Sequence, residues 1–157
     1  MKKIKFVSRV LAIVVLCVCL ASGAVFASAE KKTVEAGDVI TFGCYHQTAA
    51  GTDRTPIEWI VLDVQEEKAL VISKYALDYQ PYHADMGDTN ATWETCTLRA
   101  WLNGDFLQDA FSTEEQAAIL TTIVDNSAAQ GNSSWKSVGG NNTQDRVFLL
   151  SCAEAGK

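Results

Sequence analysis

Apolar and polar positions follow three rhythms along this chain. From Val10 to Ala21 apolar residues run without a break. Beyond residue 38 they alternate, the period of strands with one buried face. Asp38–Tyr45, with Val39, Ile40 and Phe42, is a first predicted strand. Ile57–Val64 is the clearest: Ile57, Trp59, Val61 and Asp63 share one face, and Ile60, Leu62 and Val64 the other. After the polar turn Glu66-Glu67-Lys68, Ala69–Ser73 returns as its partner, which predicts a hairpin. Thr121–Val124 and Arg146–Leu150 are shorter predicted strands. Residues 31–37 form a polar lead-in. Residues 46–56, 78–92 and 126–144 have the composition of loops, the last with Trp135 alone in its middle.

The third rhythm is helical. Leu98, Trp101 and Leu102 recur at i, i+3 and i+4. Asn103-Gly104 predicts a stop, and Asp105 a cap for a second short helix that buries Phe106, Leu107, Ala110 and Phe111. Aromatics this dense between Trp93 and Phe111 predict the plug of a core and not an active site. Ser112-Thr113-Glu114-Glu115 and Ser151-Cys152-Ala153-Glu154 are capping boxes, each predicting a helix start. The first helix gives way near Ile119 to the β-branched run. The second has only three residues left, too few to close its hydrogen bonds, which predicts that the natural chain continues past Lys157. The expected fold is α+β: a twisted, mostly antiparallel sheet with a short-helix pair packed on it, one domain over residues 38–157 with its C-terminal part missing.

The unbroken apolar run is an address. Lys2, Lys3, Lys5 and Arg9 precede it, and Ala27-Ser28-Ala29 follows as a small-x-small cleavage site, so residues 1–29 are predicted to be a signal peptide. An uncleaved anchor is the rival, but the run is short for a span of about 20 residues and Ser22-Gly23 interrupts it. A lipobox would need a small residue where Val18 and Leu16 stand before the cysteines. The expected location is secreted or cell-surface, with no membrane contact after cleavage. Removing the signal leaves 128 residues with nine basic and 19 acidic side chains. That balance argues against nucleic acid and anionic membranes as partners.

Three cysteines remain, Cys44, Cys96 and Cys152. They are expected to be free and buried, although an exported chain keeps one bridge plus a leftover thiol open. Their spacing fits no zinc site, and Asp85-x-x-Asp88-x-Asn90 fits no calcium loop, so no metal or cofactor is expected.

An ordered set of motifs carries a resemblance: Phe42-Gly43, Pro56-Ile57-Glu58-Trp59-Ile60-Val61-Leu62-Asp63, Ala69–Tyr75, Trp93-Glu94-x-Cys96-x-Leu98-Arg99-x-Trp101-Leu102-Asn103 and Val147–Ser151. The set resembles a domain of unknown function common in exported, often multi-domain proteins of Gram-positive gut bacteria. Members of that family continue into a half with a Trp-Trp-Leu-Arg-Ser-Pro-type motif that this sequence lacks. The layout also resembles the C-type-lectin-like fold shared with formylglycine-generating enzymes. The cysteine pair of their oxidase chemistry has no counterpart here.

No Gly-x-Ser-x-Gly, His-Glu-x-x-His or phosphate-binding glycine loop is present. Trp93, Glu94, Arg99 and Asn103 offer a polar rim with an aromatic platform for a sugar or peptide; the competing reading pairs Arg99 internally and seals the core with Trp93. Tyr82 belongs to a tyrosine-rich loop with Tyr75, Tyr79, His83, Asp85 and Asp88, which turn chemistry explains equally well. Trp135 is either a binding contact or a pin for its loop. The expected function is an exported, non-catalytic binding domain for a glycan or an extracellular protein. The alternative is an envelope hydrolase with part of its catalytic set in the missing half.

Overall fold

Strand propensity and turn chemistry meet first in β1 (Val39–Tyr45), β2 (Thr55–Gln65) and β3 (Lys68–Ser73). The structure, a computed structural model, describes residues 33–85, 87–88, 90–132, 134 and 137–156. The three strands form one antiparallel sheet in the order β1-β2-β3. The hairpin between β2 and β3 is the expected one, closed by Gln65 opposite Lys68, with Glu66 at a positive φ of 56°. The lead-in is tied down at its end, where the Gly37 amide donates to the Val61 carbonyl at 2.8 Å.

Two irregularities bend the sheet and break the simple alternation. One lies between Val61 and Asp63 of β2, at the exposed Leu62. The other lies between Thr41 and Cys44 of β1, at Gly43. Gly43 has φ +74°, and a Cβ there would sit 2.6 Å from the Phe111 ring. Only glycine lets the strand turn against that aromatic. The same shift points Cys44 outward.

The helical part departs from expectation in one respect. α1 (Thr97–Trp101) does not stop at Asn103-Gly104. It passes through one wide π turn, Leu102–Phe106, directly into α2 (Leu107–Ala110). Asp105 therefore caps nothing, and the expected pair of helices is one continuous rod followed by α3 (Thr113–Ala118). The Arg99 carbonyl accepts from the Leu102 amide and, within the same turn, from the Asn103 side chain at 3.1 Å. The rod lays Leu102, Phe106, Leu107 and Ala110 against Phe42, Tyr45 and Ile57 of the sheet, with Phe111, Trp93 and Cys96 closing the core.

Both capping boxes form as predicted, at Ser112/Glu115 and at Ser151/Glu154, the second opening α4 (Cys152–Ala155). Glu115 does more than cap: its other oxygen accepts the Gly43 amide at 2.9 Å, fastening α3 to the bulge of β1. β4 (Thr122–Val124) lies where expected and pairs with β5 (Thr143–Asp145); the strand expected over Arg146–Leu150 does not form. Residues 146–150 join no ladder, and the chain bends at Arg146 and Val147. All three described cysteines are free, as expected; Cys96 is buried, whereas Cys44 and Cys152 are exposed, contrary to expectation. Cys152 opens α4, where its side chain has no core to face.

Candidate functional site

Arg99, Trp93 and Thr143 converge on one carboxylate that sequence reasoning did not single out. Asp145 is 1% exposed. It accepts from Arg99 Nε at 2.7 Å, from the Trp93 indole at 2.9 Å and from the Thr143 hydroxyl. A buried carboxylate needs such donors to persist as an ion. The ladder of β5 places it, and the start of α1 brings the donors.

Glu94 and Asn103 extend the same seam. The Glu94 carboxylate accepts from the Asn141 backbone and side-chain amides at 3.0 Å. Those bonds hold its pKa below the ordinary value. Asn103 also donates to the Val147 carbonyl at 2.9 Å and accepts from the Arg146 and Val147 amides at 2.8 and 3.2 Å. With its bond to Arg99, the amide is fully satisfied. Four of the six sequence-proposed residues thus share one seam, which fastens the aromatic helix to residues 141–147.

Tyr82 lies apart, 44% exposed, with its phenol pushed up to about 12 by burial and then by neighbouring Cys96. It borders a cleft of about 410 Å³ that Trp93, Asp125, Asn126, Gln130 and Cys152 also line. The polar side chains there already have partners: Asp125 accepts from Gln130, Gln130 accepts from Ser151, and Asn126 donates to the Asn141 carbonyl. Trp135 lies outside the described residues.

The seam leaves an opening on its far side. A slot of about 390 Å³ runs between Leu70–Ser73 of β3 and residues 146–150, with Trp59, Leu98, Trp101 and Phe106 among the residues beneath. Charge reaches it at two points. Arg146 lines it but is committed, donating to the Gln116 and Ile119 carbonyls. Asp78 stands at the end beyond β3 and accepts from the buried Tyr45 hydroxyl at 2.7 Å. Burial raises the Asp78 pKa, but the bonds from Tyr45 and the Tyr79 amide outweigh it and the net shift is downward, which keeps the carboxylate ionised. The same burial, then Asp78, pushes the Tyr45 phenol upward.

That residues 147–150 are apolar was visible in the sequence, although the strand expected over Arg146–Leu150 does not form. What they face was not, because a slot is a relation between distant segments. An antiparallel sheet joined to an aromatic helix, with an apolar slot at the sheet edge, defines an α+β domain. The chain belongs to the family described as a domain of unknown function (DUF6273), whose sequence model matches residues 66–157, more than half of its length. The match opens at the turn before β3, so the motifs at Phe42-Gly43 and Pro56–Asp63 precede it. No curated protein and no solved structure matches the chain.

Proposed function

We propose that the protein is an exported, non-catalytic binding domain and that its ligand, a protein or glycan, seats in the slot beside β3. The observation that carries this reading is the slot itself: about 390 Å³ of mainly apolar space bordered by Trp59, Trp101 and Phe148 at the surface of an acidic protein. A concave apolar site with few polar groups is the usual form of a binding pocket. The Asp145 seam supports it from behind by fixing one wall. Glycan and protein ligands both use aromatic surfaces; a wall of leucine, isoleucine and valine favours protein.

The test is a thermal melt of the full chain against a panel of extracellular polysaccharides and peptides, beside the variant Ile72→Lys. Ile72 lines the slot yet is 36% exposed, so lysine there is tolerated by the fold. A ligand that raises the midpoint of the parent and not of Ile72→Lys supports the reading, since only a species that binds the native state shifts it. Equal shifts in both proteins, or none in either, would overturn it.

A further inference from the structure

We infer that the slot's occupant is an extended segment of another polypeptide, apolar in the middle and basic at its flanks, added as a strand to β3. The inference rests on the slot being the binding site.

The first support is main-chain geometry. β3 is an edge of its sheet. In an antiparallel ladder every other residue turns its N–H and C=O outward. The Lys74 amide donates to the Glu58 carbonyl at 2.9 Å and Ile72 stands opposite Ile60, so Val71 and Ser73 present theirs to the free edge. Residues 148–150 of the other wall belong to no helix or ladder, and among the described residues their main chains make no hydrogen bond to other main chain. One slot is therefore bordered by a free strand edge and by a second stretch of unpaired backbone. A compact ligand or a helix would leave those groups unmet; a strand beside β3 pairs with its edge at the ordinary spacing of about 4.8 Å. An unpaired edge is also a hazard that proteins usually block with charge or proline, and Leu70–Ser73 has neither.

The second support is charge. Between Thr33 and Gly156 the chain carries 18 acidic side chains and six basic ones. Glu66 and Glu67 stand at the turn before β3 and Asp78 beyond its end. Lys74 is paired with Glu58 and Arg146 is committed to carbonyls, leaving Lys68 as the one basic side chain on β3. The apolar stretch Leu70–Ser73 of β3 thus lies between acidic groups before and beyond the strand, which select a partner strand with lysine or arginine at its flanks.

The experiment uses the full chain and a ten-residue peptide of alternating valine and threonine with two lysines at each end. Two controls keep its length: one N-methylated at alternate residues, the other flanked by glutamate. Tryptophan emission reports binding through Trp59 and Trp101, and hydrogen exchange reports the amides of Val71 and Ser73. The expected result is saturable binding of the lysine-flanked peptide, at least tenfold weaker for each control, with exchange at Val71 and Ser73 slowed. Equal affinity after N-methylation would overturn strand addition while leaving the slot a binding site. Binding of polysaccharide but of no peptide would do the same. If the peptide drives no change and the chain instead dimerises through this edge, the occupant is a second copy and the inference fails. A silent slot in every assay removes the binding reading as well.

Discussion

Asp145 is the side chain on which the most depends, because everything that touches its carboxylate is a donor. Arg99 Nε takes one oxygen, while the Trp93 indole and Thr143 hydroxyl take the other. Asp145→Ala leaves those donors facing a void, at a cost of about 3 kcal/mol, the lower end for a broken buried pair because Arg99 is 27% exposed. Asp145→Asn, though isosteric, is expected to be nearly as damaging. Its NH2 must face either Arg99 or Trp93, and neither can accept. Urea unfolding midpoints check both; near-parental stability of the asparagine variant would mean the charge itself is unimportant. Glu94 behaves differently because it is exposed. Its pKa lies below the ordinary 4.5 when folded, through the Asn141 side chain first and then the Asn141 backbone. A lowered carboxylate contributes stability above its unfolded pKa, and that contribution is lost as pH falls through the folded value. Melting temperature should therefore fall below about pH 4.5 more steeply in the parent than in Glu94→Gln. Other lowered carboxylates, such as Asp78 and Asp125, act equally in both proteins and cancel from the comparison.

The aromatic helix shows which signals in the sequence were local and which were not. Its apolar face, its burial and both capping boxes were legible, because each is fixed by residues within about one turn of one another. Its length was not. Asn103-Gly104 has the composition of a helix end, yet Gly104 does not take a positive φ and the rod continues as a π turn. What overrides the local preference is a partner more than 40 residues away: Asn103 holds the Arg146 and Val147 main chain. The same long-range bonds explain why Arg146–Leu150 is not a ladder strand although its pattern is apolar, since its first two residues pair with a side chain instead. Four of the residues proposed from sequence for a ligand rim have seam partners that no spacing rule could supply. Asn103→Ala should cost about 3 kcal/mol, because it leaves the Val147 carbonyl and two amides unmet in a half-buried place. Native-state hydrogen exchange should then be fastest at the Arg146 and Val147 amides. Unchanged protection there would mean that the π turn, and not the asparagine, holds the wall of the slot.

The chain as a whole sets a small apolar core and an apolar slot inside an acidic shell. The β2–β3 hairpin was legible from alternation and one good turn, the two register shifts were not; nor was the slot, because it arises only when β3 and residues 146–150 come to border one space without pairing. That architecture has a measurable electrostatic consequence. Exposed ion pairs such as Arg54–Asp109 and Lys74–Glu58 contribute little, whereas 18 acidic against six basic side chains between Thr33 and Gly156 repel one another over the whole surface. At about 10 mM salt the screening length, about 30 Å, spans a domain of this size; at 0.1 M it falls to about 10 Å. Screening therefore relieves more repulsion than attraction, and the buried Asp145 pair is hardly screened at all. Melting temperature should rise by a few degrees between 10 and 500 mM sodium chloride. For Asp145→Asn the rise should be the same, since the lost pair lies beyond the reach of salt. A fall with added salt would mean that the exposed pairs outweigh the net charge. The acidic shell would then be stabilising in its own right, and the selection of a basic-flanked strand would lose its electrostatic basis.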